Sequence, residues 1–213
     1  MKALIRLYLA DISALYDPLY DSSKISLLPI ERQNKILKYK LADDRKRSLA
    51  AGLIMDKILI ENNIPVNSIY YGSNGKPYAD GIFFNVAHSG NYAFGVSSEC
   101  EIGCDVEIIK QAHLDIAKRF FTESEYNYIS DSENKDNIFF KLWTIKESYI
   151  KFTGEGLRTP LNSFEIKVND DNISIIENNK KKSCFVTHFE FNNHSFAICS
   201  TEQPPKEIEF ISV

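Results

Sequence analysis

The chain has 213 residues, a formal net charge of −4, and 44% hydrophobic against 25% charged residues. That length allows one large domain or two small ones with a real core. The composition excludes disordered and fibrous classes, and the acidic balance argues against indiscriminate nucleic-acid binding.

In chain order, "MKALIRLYLADIS" carries an apolar run that Arg6 interrupts and Asp11 stops, with no small-residue cleavage site after it. It reads as a first β-strand rather than a signal peptide. In "PIERQNKILKYKLADDRKRSLAAGLIMDKILIENN", Ile36, Leu37 and Tyr39, then Leu49, Leu53, Ile54 and Ile58, recur at helical spacing. Two helices are expected, broken near Leu41 to Asp44, with Asp43 or Asp44 as N-cap of the second. The stretch from Ser68 to Ile109 is rich in β-branched and aromatic residues and punctuated by Asn-Gly, Lys-Pro and Asp-Gly, the pattern of short antiparallel strands with tight turns.

Helical patterning returns at "HLDIAKRFFTESEYNYIS", with Thr122 or Ser124 as a cap, and at "NIFFKLWTIKESYIKFTG", which ends on a glycine stop. Strands then follow in "SFEIKV", "NISIIE", "SCFVTHFEF" and "SFAICS", with "NNKKKS" as a solvated hairpin tip. This order predicts an α+β protein of two halves, 1–99 and 100–213, packed as one body without a low-complexity linker. Cys100, Cys104, Cys184 and Cys199 form no CxxC pair and no zinc-finger spacing with histidine, so they read as buried thiols in a reducing compartment. No stretch approaches the length of a transmembrane helix, and a cytoplasmic location is expected.

The chemistry begins with "IGCDVEIIK". As a strand it places Asp105 and Glu107 on one face and Cys104 and Val106 on the other. Carboxylates sharing a face repel unless a cation lies between them, and hard oxygen ligands suit Mg²⁺; the plain alternative is a solvent-facing edge. In "WTIKESYIK", Glu147 and Lys151 are spaced i, i+4, which on its own describes an ordinary surface pair. Trp143, Tyr149 and Ile150 mark that helix as half-buried. Lys76 stands in a Gly/Pro turn that could present an ammonium to an anion, and His88 precedes a Ser-Gly turn. Arg32, Lys35 and Lys38 recur along one helix while Lys46 and Arg47 open the next, a basic cluster suited to phosphate.

Taken in order, "NGKP", "FNVAHSGNY", "IGCDVE", "RFFTESEY" and "LWTIKESYIKFTGEGL" resemble the motif series of the 4′-phosphopantetheinyl transferases, of the larger two-domain type that activates surfactin synthetase. The resemblance is strongest from about residue 72 to 165. It implies two similar α+β halves related by pseudo-twofold symmetry, with the nucleotide contacts in the first and the metal and catalytic residues in the second. It further implies transfer of the phosphopantetheine arm of coenzyme A to a serine of an apo carrier protein, with release of 3′,5′-ADP. Mg²⁺ would rest on Asp105, Glu107 and Glu147, with Glu147 as candidate base and Lys151 on the phosphate and leaving group. Lys76, His88, Arg32, Lys35 and Arg47 would hold the phosphates of coenzyme A. Ala87 and Ile109 replace polar residues of some relatives. Phe120, Phe121 and Tyr126 are more apolar than a surface helix requires; at least one phenylalanine is expected in the core and an exposed one against the carrier.

Two other classes fit parts of the pattern. A metal-dependent nuclease would place a lysine two residues after the second acid, where Ile109 stands. A coenzyme A- or carrier-binding module without catalysis has no need of an acidic trio and a base. The protein is expected to act as a monomer.

Overall fold

Alternation along Arg6–Asp11 (β1) divides its side chains between two cores, with Tyr8 and Ala10 on one and Leu7 and Leu9 on the other. This computed structural model describes residues 4–72, 75–169, 172–205 and 209–210; Asn74 of "NGKP" lies outside them. Next come α1 (Ile30–Leu37) and α2 (Ala42–Glu61). Leu41, not Asp43 or Asp44, is the N-cap of α2. Both aspartates fall in the first turn, where the helix dipole favours negative charge without a capping bond, and Asp44 turns to Arg47 at 2.6 Å. Arg45 is buried and fixes the corner between the helices: its Nε reaches Asp17 at 2.7 Å and its Nη1 the carbonyls of Tyr39 and Lys40.

A small hairpin, β2 (Tyr70–Tyr71) and β3 (Pro77–Tyr78), leads to β4 (Phe83–Ser89) and β5 (Tyr92–Ser98). The second half opens with β6 (Ile102–Ile108), α3 (Leu114–Phe120), α4 (Glu123–Ser130) and α5 (Lys135–Thr153). Thr122 caps α4 in a capping box with Glu125. Gly154 ends α5 in the left-handed conformation, φ 72°, that side chains disfavour. Strands β7 (Phe164–Asn169), β8 (Asn172–Glu177), β9 (Lys180–Lys181), β10 (Phe185–Phe191), β11 (His194–Ser200) and β12 (Glu209–Phe210) complete the chain. The lysine tip is thus partly ladder, with β9 paired to β8, and Lys182 bonds Glu177.

Each half lays a long helix on a mainly antiparallel sheet, the α+β plan expected. The first sheet runs β12–β1–β5–β4, its β12 parallel to β1, and the second runs β10–β11–β6; β7–β8–β9 form a smaller one. Helix α2 covers the first sheet and α5 the second. A third core joins the sheets, with Leu7, Leu9, Phe94 and Val96 facing Cys104, Val106, Phe196 and Ile198. Phe94 meets Phe196 edge-on at 5.3 Å, and fully burying each such ring stabilises the joint by about 1.5–3 kcal/mol.

The cysteines are all free, but only Cys104 and Cys199 are buried. Cys100 and Cys184 stand just outside strand ends, where solvent reaches them.

Candidate active site

The faces of β6 explain its mixture of apolar and acidic residues. Ile102, Cys104 and Val106 point into the joint between the sheets. Gly103, Asp105 and Glu107 take the opposite face, and α5 lies against it. At Gly103 the approach is so close that a Cβ would stand 2.3 Å from both Phe152 N and Ser148 O, so only glycine fits. That contact fixes the height of α5 over β6 and brings Glu147 and Lys151 to the two strand carboxylates.

Lys151 Nζ donates to Asp105 Oδ1 at 2.6 Å. Asp105 is 4% exposed, and its other oxygen, Oδ2, is buried without a hydrogen bond among the described residues. Burial pushes its carboxyl up to about 6; Lys151 opposes this and Glu107 adds to it. Glu107 is also raised, chiefly by burial, with the Ser89 hydrogen bond opposing and Glu147 contributing. Glu147 is raised by burial and then by Asp105. Each acid thus makes the next harder to ionise.

Two openings meet at Glu147. One, of about 280 Å³, is lined by Lys76, Asn85, Lys151 and Gly154. The other, of about 650 Å³, is lined by Glu107, Phe120, Trp143 and Leu161. Phe120 is exposed, whereas Phe121 is buried against Phe139 and Trp143. Tyr126 is half-buried against the core. Ile109 lies in the core behind the site, so the position two residues after the second acid carries no cation.

The basic residues divide. His88 is open to solvent on one side, yet the protein packed around its other side, then Arg47, Arg32 and Lys151, hold it down at about 4, so it is neutral at pH 7. Arg47 donates to the Gly90 carbonyl (2.9 Å) and to Asp44. Arg32 donates to the Ser48 carbonyl, and its buried Nε lacks a partner among the described residues. With Lys35 it lines a separate groove of about 550 Å³ beside Tyr71 and Asp56. Lys76 departs from the expected open turn. Its side chain is 8% exposed, and Nζ donates to the Lys151 carbonyl (2.7 Å), with Ile102 O and Glu101 at 3.4 Å. Its ammonium therefore holds the end of α5, because the carbonyls of a last helical turn attract a cation.

Lys146 is the residue that pattern reading passed over. It is fully buried, and its three donors meet Glu125 Oε1, Leu161 O and Phe164 O, each at 2.8 Å. Glu125 also accepts from Ile166 N and Thr122 N. The pair ties α4, α5 and the start of β7 into one block under Glu147. Its place among Leu142, Ile145, Tyr149 and Ile150 was the available signal.

Oxygen donors, one of them buried and unsatisfied, on mutually repelling acids are the chemistry that a hard divalent cation relieves. Among the described residues no three His, Cys, Asp or Glu side chains are placed to hold a metal together. Lys151 is the cation found against Asp105.

Residues 101–199 match the 4′-phosphopantetheinyl transferase superfamily, and residues 20–100 match the 4′-phosphopantetheinyl transferase N-terminal family. The chain is 37% identical over 177 residues to 4′-phosphopantetheinyl transferase gsp of Aneurinibacillus migulanus, covering 80% of this chain and 75% of that protein. It is 28% identical over 199 residues to 4′-phosphopantetheinyl transferase Sfp of Bacillus subtilis, covering 88% and 89%. A holo-(acyl-carrier-protein) synthase from Bacillus anthracis, solved in complex with CoA (3′,5′-ADP), superposes on 47% of this chain and 94% of its own, with 17% identity and a TM-score of 0.38. The chain belongs to the 4′-phosphopantetheinyl transferase family.

Proposed function

We propose that this protein transfers the 4′-phosphopantetheine arm of coenzyme A to a serine hydroxyl of an apo carrier protein, with Mg²⁺, and releases 3′,5′-ADP. The observation that carries the reading is the clustering of Asp105, Glu107, Glu147 and Lys151, with Lys151 bonded to the buried Asp105 and two openings sharing Glu147, in a chain of this family. The serine oxygen forms a bond to the phosphorus that keeps the pantetheine arm. The bond between that phosphorus and the oxygen bridging the two phosphates breaks, and the bridging oxygen leaves on 3′,5′-ADP. Glu147, whose carboxyl burial and then Asp105 hold above the usual carboxylate range, takes the serine proton directly or through water. Lys151 offsets charge on the leaving phosphate. A divalent cation held by Asp105, Glu107 and Glu147 would neutralise the pyrophosphate and orient it for in-line attack.

His88, Arg47, Arg32 and Lys35 hold the remaining phosphates in this reading. Lys76 joins them only by exchanging its present carbonyl partners. Phe120 on the rim of the larger opening meets the apolar surface of the carrier. One chain supplies every group, so a monomer suffices. The four free cysteines support a reducing, cytoplasmic setting; among the described residues no helix is long and apolar enough to cross a membrane.

Intact-mass spectrometry of an apo carrier protein incubated with this protein, coenzyme A and Mg²⁺ tests the reading. The carrier should gain the phosphopantetheine mass, and Asp105→Ala or Glu147→Ala should reduce the gain to background while remaining folded. No gain across several carriers would leave a binding module. Near wild-type transfer by either variant would exclude the metal site.

A further inference from the structure

Strand β6 ends its sheet, and β4 ends the other. They face each other without a ladder, yet the β6 backbone is not left open. Asn85 Oδ1 accepts from the Cys104 N–H at 3.0 Å, and Ser89 Oγ accepts from the Ile108 N–H at 3.2 Å. Two polar side chains of β4 thus take the place of strand pairing. At Ser89 the effect reaches the acidic cluster. A hydroxyl has one hydrogen to give, and this one goes to Glu107 Oε2 at 2.6 Å.

We propose that Ser89 is a positioning residue: anchored on the β6 backbone, its hydroxyl limits the rotamers of the Glu107 carboxylate and so lowers the entropy that Glu107 must lose when a divalent cation draws the acids together. This rests on reading Asp105, Glu107 and Glu147 as the cation-binding set. The physical case is that a glutamate on a strand end has rotamer freedom to lose, and a charge-assisted bond to a fixed hydroxyl removes it in advance. The neighbour His88 alternates to the other face of β4. The same short turn therefore steers one acid while presenting an imidazole to phosphate. A purely structural Ser89 would matter for the Ile108 N–H alone, and the two roles predict different measurements.

Trp143 is the only tryptophan of the chain and lines the same opening as Glu107 and Glu147. Quenching of its fluorescence by Mn²⁺ therefore reports cation binding without turnover. With coenzyme A present and no carrier protein, Ser89→Ala should raise the half-quenching Mn²⁺ concentration by about tenfold or more. Affinity for coenzyme A without cation should not change. Ser89→Thr, which keeps the hydroxyl, should stay near wild type, while the nearly isosteric Ser89→Val should resemble alanine. If alanine proves too unstable to assay, the Thr–Val pair carries the same comparison. Equal Mn²⁺ affinity in wild type and the hydroxyl-free variants overturns the proposal, whatever their melting temperatures. Equal loss in the Thr and Val variants also overturns it. Absence of quenching in wild type itself overturns the cation-binding reading, and the role of Ser89 with it.

Discussion

The two long helices are laid on their sheets alike but handle charge differently. On α2, Arg45 is neutralised by Asp17 and two carbonyls, and Arg47 by Asp44 and a carbonyl. On α5, Lys146 is satisfied in the same way by Glu125 and two carbonyls. One residue later the pattern breaks, because Glu147 joins Asp105 and Glu107, with Lys151 as the cation bonded to Asp105 and only the neutral Ser89 hydroxyl found on Glu107 among the described residues. The buried charges of Arg45 and Lys146, which serve the fold, are closed off locally. At the acidic cluster Asp105 Oδ2 keeps no hydrogen bond among the described residues, and that is where the proposed function needs a ligand.

The sharpest way to break this comparison is at Lys146. Lys146→Met leaves Glu125 buried without its cation and should cost about 3–5 kcal/mol, read from denaturant unfolding. Adding Glu125→Gln removes the stranded charge and should recover part of the loss. A cost under about 1 kcal/mol, the worth of a surface pair, would put Lys146 in the same class as an exposed lysine.

The open cluster should show itself through pH. Burial raises Asp105 to about 6, so the metal-free fold prefers it protonated. That contribution to stability is fully present below the ordinary carboxylate value and is lost as pH rises through about 6. The decline should be on the order of 2–3 kcal/mol. Urea midpoints between pH 4 and 7 in chelator should fall in wild type and flatten in Asp105→Asn. Glu107 and Glu147 shift in the same direction and leave a residual slope. Added Mg²⁺ should restore the neutral-pH loss, and identical slopes in both proteins would remove Asp105 as the source.

Gly103→Ala tests whether helix height over the strand matters. The new methyl meets backbone rather than a flexible side chain, which should cost about 1–3 kcal/mol as overpacking does. Activity should fall further than stability explains, because Glu147 and Lys151 move away from β6. The mildest change is Phe120→Ala on the cleft rim. It should raise the KM for the carrier several-fold while leaving the KM for coenzyme A alone; movement of both would place Phe120 in the fold instead.

The parts of this arrangement that follow local periodicity could be read directly. Alternation placed Asp105 and Glu107 together, helical spacing placed Glu147 above Lys151, and Gly154 marked the end of α5. What escaped depends on partners distant in sequence. Nothing in "IGCDVEIIK" tells that a second sheet covers its other face. Lys146 reads as polar until Leu161 and Phe164 supply its acceptors. Asp43 and Asp44 fit a cap by type, yet the corner held by Arg45 starts the helix earlier. Lys76 looked like a free turn cation because its acceptors, Lys151 O and Ile102 O, belong to the other half.

Strand β12 joins the sheet of the first half by pairing with β1, Tyr8 opposite Glu209. On a ribosome, β1 emerges long before β12 and must therefore wait for it before this edge is covered. Until then β1 offers an unpaired backbone row, a template for any other strand in the cell. The long loop that closes this pair makes its formation slow relative to local hairpins such as β4–β5. Loss of residues around 209 and 210 would thus be felt first as self-association during synthesis, with the distant acidic cleft intact.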